Sequence, residues 1–434
     1  MKKKVIRAFS ALFLTGFTLV IAGILAFFIL IVAGASPKLQ TIWICSAMRT
    51  MSHKYLATAF FSDEYIAGIM EANEVDDSGY DSVILDFSDR NKETETEPPA
   101  PESEPAVVPD PETEEETSPE TQPESETETQ LESETEPESE LQPETEPETE
   151  PETDPETEIV PEPETEAETE KKPPASYSQE TDEIPQLPQE TEGDYISEGY
   201  EMLEEGLYLK QVSGLTWRGY VMLIEDPMRV KLVDTSQQYT CGENVMTMTK
   251  NAGAVAGING GGFQDGANYD SNGGTPAGLL IEDSKIVYPL EIDDTVYNMI
   301  GINDGGALVL RHCTAQWALD NNIVSAVSFA PFLVVNGEGL IKNGSGGWGI
   351  APRTAIGQRE TGEFLFLVID GRQADWSIGC DLDVLQEVML EEKAYNAAML
   401  DGGSSTAMVY SGEYINRPSL GHERWINNSF VVMP

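Results

Sequence analysis

The feature that most limits what this chain can fold into is a block of one hundred residues, 93–192, carrying 37 acidic and 2 basic side chains. The block also holds 19 of the 27 prolines and no glycine, cysteine or tryptophan. Apolar surface is too scarce there to offset chain entropy, and like charges repel, so the block is expected to stay disordered. Pro-Glu-Thr-Glu repeats from Pro143, Pro147 and Pro155, with Pro-Glu-Thr-Asp from Pro151. Proline and self-repulsion favour extended polyproline II, which at ~3.1 Å per residue would reach roughly 300 Å. Residues 93–193 therefore read as a Pro/Glu/Thr-rich stalk holding a domain away from a membrane. A calcium sponge and a partner-binding tail are the alternatives, and no protein partner can be inferred.

This block explains most of the formal net charge of −52 over 434 residues. Residues 1–92 carry 9 acidic and 9 basic groups, and residues 193–434 carry 31 and 14. No part of the chain past the first residues offers the basic face that nucleic acid requires. The foldable material reduces to one domain, 194–434, and a short N-terminal part.

That part begins with Lys2, Lys3, Lys4 and Arg7, followed by an uncharged apolar run from Ala8 to Val32. A bilayer is spanned by about 20 such residues. Residues 1–36 thus read as a basic tip and a single-pass anchor. The positive-inside rule leaves the N-terminus cytoplasmic and the rest outside the cell. Ala33-Gly34-Ala35 has the form of a signal-peptidase site, the competing reading, but the run exceeds the ~7–15 residues of a signal core. Residues 37–92 read as a membrane-proximal helical segment. Ser62 is the expected N-cap, and Tyr65, Ile66, Ile69 and Met70 fall on one helical face.

From about Tyr195 glycine, aromatic and β-branched residues return together, and short apolar runs end in turn signals. Phe332–Val335 and Gly339–Ile341 around Asn336-Gly337 read as a hairpin. Helices are few: Val245–Asn251, and Asp383–Tyr395 with Asp383 as N-cap. The expected class is a β-rich α+β domain. Three apolar runs end in Asn or Asp followed by glycine, at Asn259-Gly260-Gly261, Asp370-Gly371-Arg372 and Asp401-Gly402-Gly403-Ser404-Ser405. A strand fixes the side chain leaving its end, and glycine permits a close approach or a positive φ. The glycine clusters further suggest amides arranged to bind an anion. Ordinary tight turns are the bland alternative, and Ile302-Asn303-Asp304-Gly305 is read as one. Arg353, between Pro352 and the apolar Thr354–Gly357 stretch, suits bidentate contact to phosphate or carboxylate.

Ile258-Asn259-Gly260-Gly261 with Phe263, Pro352-Arg353-Thr354-Ala355-Ile356-Gly357, Val368-Ile369-Asp370-Gly371-Arg372 and Leu400-Asp401-Gly402-Gly403-Ser404-Ser405-Thr406 occur in that order. As a set, over roughly residues 205–434, they resemble the phosphodiester glycosidase family. The resemblance implies hydrolysis of a sugar-1-phosphodiester at its glycosidic bond, with a phosphorylated glycan as substrate. Carried over motif by motif, it puts Asn259, Arg353, Asp370 and Asp401 at the site. Asp401 and Asp370 are then the catalytic pair. Asn259, Gly260, Gly261, Arg353, Thr354, Arg372, Gly402, Gly403, Ser404 and Ser405 are the substrate-binding set.

Glycoside hydrolysis usually uses two carboxylates, and Asp401 and Asp370 fit that count. A phosphate monoester leaves readily, so charge stabilisation by Arg353, Arg372 and glycine amides matters more than proton donation. Two rivals remain: a surface module that binds phosphorylated glycan without turnover, and a phosphodiesterase attacking phosphorus. The latter usually needs clustered metal ligands, whereas the domain has only His312 and His422. No cofactor is called for, with a divalent cation such as calcium left open. Without a C-x-x-C pair zinc is not expected. One disulfide between two of Cys241, Cys313 and Cys380 is compatible with an extracellular setting. The segment Arg417–Trp425 reads either as a closing strand or as a sugar- and phosphate-binding element, with Glu423 an extra carboxylate.

Overall fold

The computed structural model describes residues 2–50, 53–87, 194–265, 271–342 and 346–434, with side chains from Leu14 onward. The expected stalk lies outside the described residues.

Helix α1 spans Lys2–Val32, and its stretch Leu14–Val32 has a mean hydropathy of 2.6. Leu14, Phe17 and Leu19 leave more than half of their surface bare. A helix that is apolar on all faces and mostly bare, with its end packed against Trp43 and Phe60, is long enough to cross a bilayer. Three helices follow: α2 (Pro37–Met48), α3 (Tyr55–Thr58) and α4 (Asp63–Ala72). Ser36 caps α2 by accepting from the Leu39 amide, with Pro37 in the first turn where its missing N–H costs nothing. Ser62 caps α4 as expected, accepting from the Tyr65 amide. Ile44, Ala47, Ala57 and Ile66 form a small core among these helices, and Ile69 and Met70 pack against it. Tyr65 turns outward but donates its hydroxyl to Gln40 Oε1 at 2.7 Å.

These helices are not an isolated spacer. Residues 73–86 continue onto the main domain as part of one compact unit. The Ser82 amide donates to the Leu310 carbonyl at 2.9 Å, and the Leu310 amide donates to Ser82 Oγ at 2.8 Å. The buried carboxylate of Asp77 accepts from the Phe332 amide at 2.9 Å and lies 3.2 Å from His312 Nε2. Asn336 Oδ1 accepts from the Val83 amide at 2.8 Å.

The domain is built from three antiparallel sheets. The largest has eight strands in the order Glu201–Glu204, Leu207–Ser213, Arg218–Ile224, Phe364–Ile369, Arg353–Arg359, Ala394–Met399, Phe332–Val335 and Glu338–Gly339. One five-stranded sheet centres on Ile323–Ser328, the other on Ala256–Asn259. With few helices and no alternating parallel units, this is the expected β-rich α+β class.

Phe364–Ile369 shows why the large sheet is central. Successive strand side chains face opposite ways, so an unbroken apolar run needs cover on both faces. Phe364, Phe366 and Val368 join the core shared with the two smaller sheets. Leu365, Leu367 and Ile369 join a second core under the helix Leu382–Glu391. That helix starts two residues earlier than Asp383 would dictate as a cap. The cap is Asp381, whose carboxylate accepts from the Val384 amide, while Asp383 sits in the first turn. Both aspartates suit a helix N-terminus, and the local backbone selects the first. The Asn336-Gly337 hairpin forms with both turn residues at positive φ, 51° and 79°. Asn428–Val432 closes the third sheet between Val230–Asp234 and Ala256–Asn259.

The disulfide that the sequence leaves possible is not formed. All four cysteines are free, with Cys313 and Cys380 buried in apolar surroundings and Cys241 beside the Asn272 carbonyl.

Candidate active site

Three of the strand ends marked by Asn or Asp and glycine meet, because the sheets bring them into register. Arg353 pairs with Ile369 and Ala355 with Met399, so the start of Arg353–Arg359 lies between the ends that lead to Asp370 and Asp401. Asn259 arrives from a different sheet, at the end of Ala256–Asn259. Its Nδ2 donates to the Asp401 carbonyl at 2.5 Å, and its Oδ1 accepts from Thr354 Oγ1 at 2.7 Å and the Ala407 amide at 3.1 Å. Asn259 is fully buried and joins two sheets beneath the site.

Above this junction is a cavity of about 330 Å³. Asp401, Gly402, Gly403, Ser404, Arg353 and Arg372 line it, among the residues expected from sequence. Asn259, Gly260, Gly261, Thr354, Ser405 and Asp370 do not. Each of these has a visible task behind the cavity wall. The amides of Gly260 and Gly261 donate to Asn428, at 3.0 Å to its carbonyl and 2.8 Å to its Oδ1, which leaves neither for an anion. A Cβ on Gly261 would sit 2.7 Å from Val327 Cβ, so the glycine is there for close sheet packing. The Ser405 hydroxyl hydrogen-bonds the Asp401 carboxylate.

Asp370 is buried with both carboxylate oxygens engaged. Oδ2 accepts from Trp376 Nε1 at 2.7 Å, and Oδ1 accepts from Asn416 Nδ2 at 3.0 Å and the Arg417 amide at 2.9 Å. Arg417 in turn stacks over the Trp376 ring, 3.8 Å from its centroid. Asp370 thus ties two loops together beside the site.

Asp401 differs. It is only partly buried, faces the cavity, and burial pushes its carboxyl up to about 6. Hydrogen bonding from Ser405 and the charge of Arg424 hold it down, while Asp265 raises it further. Asp265 is the second carboxylate of the cavity wall and forms a two-oxygen pair with Arg424 Nη2, at 2.6 and 2.7 Å.

Arg353 is buried at 3% exposure. Its Nη2 donates to the Trp348 carbonyl at 2.9 Å and the Gly349 carbonyl at 2.6 Å, and its Nε to the Cys380 carbonyl at 3.4 Å. Burial lowers it to about 10. It remains a cation, and no carboxylate lies within ion-pair distance among the described residues. It positions the loop that presents Trp348 and adds fixed positive charge behind it. Arg372 stands at the cavity with a left-handed backbone, φ 61°, facing Asp401 electrostatically and packing against Gly403. Four arginines (Arg49, Arg353, Arg372 and Arg424) thus face two aspartates, a locally positive cavity in an acidic domain.

Over residues 252–433 the sequence matches the phosphodiester glycosidase family. The C-terminal part of the domain is thus similar to phosphodiester glycosidases. A prophage-derived protein of Bacillus subtilis is 27% identical over 215 residues, covering 46% of this chain and 32% of the relative. Human N-acetylglucosamine-1-phosphodiester alpha-N-acetylglucosaminidase is 27% identical over 174 residues, 36% of this chain and 33% of the enzyme. The chain therefore spans about a third of the length of these curated relatives. Among solved structures, the zebrafish N-acetylglucosamine-1-phosphodiester alpha-N-acetylglucosaminidase catalytic domain, auto-inhibited by its pro-peptide, aligns at 23% identity. The TM-score is 0.44, covering 52% of this chain and 82% of that one.

Several cavity residues carry no sequence signal of the strand–glycine kind. Asp265 and Trp348 lie in loops, and Arg424 belongs to the segment whose role the sequence left open. Among the described residues no three His, Cys, Asp or Glu side chains lie close enough to hold a metal ion.

Proposed function

We propose that the domain hydrolyses the glycosidic bond of a sugar-1-phosphodiester, releasing free sugar and a phosphomonoester. The observation that carries this reading is Asp401: a cavity-facing carboxylate, raised to about 6, opposite a cluster of arginines. The family match supports the same reading.

At neutral pH a carboxyl of this kind is roughly nine-tenths ionised, so Asp401 acts as base or nucleophile toward the anomeric carbon or its attacking water. The departing phosphate monoester carries its own negative charge, and Arg372 is placed to stabilise it as the bond breaks. Arg353 acts from behind as a fixed positive field. Asp265, paired with Arg424, is the second carboxylate that reaches the cavity, and we assign it rather than Asp370 to support Asp401. Asp370 is assigned to holding the Trp376–Arg417 stack. The Trp348 face and the Phe329 ring, 5.9 Å apart, offer an apolar wall for a sugar ring. The substrate is taken to be a cell-surface glycan, with α1 as a membrane anchor and the domain outside the cell.

The test is product identification with an N-acetylglucosamine-1-phosphodiester. Free reducing sugar with a phosphomonoester supports the reading, and intact sugar 1-phosphate means attack at phosphorus. Binding without turnover would make the domain a recognition module, a reading favoured by the engagement of Asp370 away from the cavity.

A further inference from the structure

The cavity wall is not made by the family domain alone. Ser46, Arg49 and Thr50, from the end of α2 and the residues just after it, line it together with Asp401. They lie some two hundred residues before the matched region 252–433. Their seat is built rather than incidental. Ser46 Oγ accepts from the Ile350 amide at 2.9 Å. Gly349, at φ 63°, packs so closely that a Cβ there would lie 2.5 Å from Ser46 Cα. Arg49 Nε donates to the Gly347 carbonyl at 3.3 Å, and its guanidinium lies 4.3 Å over the Trp348 ring. Arg353 approaches the same ring at 5.8 Å. The Ser82–Leu310 and Asp77–Phe332 bonds hold the following stretch of chain on the domain.

Arg49 is exposed and has no carboxylate within ion-pair distance among the described residues. Its guanidinium donates through Nε, which leaves the two terminal nitrogens for a ligand. A guanidinium fixed over an aromatic face with its fork free matches two oxygens of a phosphoryl group.

The geometry points to Arg49 as a substrate-binding residue: the membrane-proximal segment completes the site and supplies the contact to the substrate phosphate. This rests on the sugar-phosphodiester reading for its substrate class. The role is specificity rather than bond cleavage. Arg49 selects sugars that carry a phosphoryl group, while Trp348 beneath it is shared with the sugar.

The experiment uses the full chain in detergent micelles. Binding of N-acetylglucosamine 1-phosphate and of free N-acetylglucosamine is followed by tryptophan fluorescence. Wild type is compared with Arg49→Ala, Arg49→Lys and, as a remote surface control, Lys342→Ala. Arg49→Ala is expected to weaken the sugar phosphate about tenfold or more and the free sugar by less than about twofold. Arg49→Lys, with charge but no fork, falls between. In turnover of an N-acetylglucosamine-1-phosphodiester the loss is expected in KM rather than kcat. Equal binding by wild type and Arg49→Ala overturns the proposal, as does the absence of any sugar phosphate binding by wild type. A gain in kcat/KM on Arg49→Ala also overturns it, because the segment would then obstruct the site. Binding that depends on Arg49 with no hydrolysis by any variant would leave this assignment standing and remove the glycosidase reading.

Discussion

Replacing Asp401 by asparagine isolates what the site costs the fold. The carboxyl moves from 3.8 to about 6 through burial, so its charged form is disfavoured in the folded protein. A group whose folded value is raised contributes stability that is complete below its unfolded value. That contribution is lost as pH climbs through the folded value. The window is therefore from about pH 4 to about pH 6, and the full loss is ~3 kcal/mol at about 1.4 kcal/mol per unit. Water at the cavity mouth reduces this to about 1–3 kcal/mol. The substituted amide keeps an acceptor for Ser405 and cannot ionise. Asp401→Asn is thus expected to gain stability relative to wild type as pH rises from about 4 to about 7.5, while turnover disappears. The assay is denaturant unfolding of both proteins at the two pH values, read by tryptophan fluorescence, alongside product formation. A stability difference that does not change between those two pH values refutes the burial argument. Retained turnover removes Asp401 from the chemistry.

Other expectations follow from the same geometry. Asp370→Ala strands three donors and should cost about 2–4 kcal/mol in unfolding free energy, with Asp370→Asn recovering part of it. A loss of kcat at unchanged stability would instead place Asp370 in the reaction. With Asp401 as base, kcat/KM should fall about tenfold per unit as pH drops below about 6, and a rate that rises on acidification would assign Asp401 as the acid. Residues 193–434 carry net −17, so added salt should lower KM for an anionic substrate until it also screens the cavity arginines. A KM that only rises would mean local attraction dominates throughout. With all cysteines free, a reductant should leave the melting temperature unchanged, and a drop of several degrees would reveal a disulfide.

Much of this architecture was legible because strands write simple rules into sequence. The run Phe364–Ile369 announces a strand covered on both faces, and the Asn336-Gly337 turn announces its hairpin. The glycine-marked ends were legible as a set, but not which of them opens into the cavity. Asn259, Asp370 and Asp401 look alike locally. Only the register of two sheets sends Asp401 to the cavity and leaves Asp370 among Trp376, Asn416 and the Arg417 amide. The Asp265–Arg424 pair joins residues 159 apart, and no local pattern encodes such a contact. Arg49 was less legible still, since its segment resembled a membrane-proximal spacer and its task depends on where the loop at Trp348 meets it. The shift of the helix cap from Asp383 to Asp381 is a smaller case, in which two equivalent side chains compete and the incoming backbone decides.

Phe87 and Asp194, which flank the acidic stretch, belong to one compact unit. What keeps the domain beside the apolar helix is then not the intervening peptide. It is the Ser82–Leu310 pair, the Asp77 carboxylate and the Val83–Asn336 bond. A protease cutting between Glu97 and Pro185 would yield two polypeptides that stay joined. The nicked protein would hold together as a non-covalent heterodimer of its own halves.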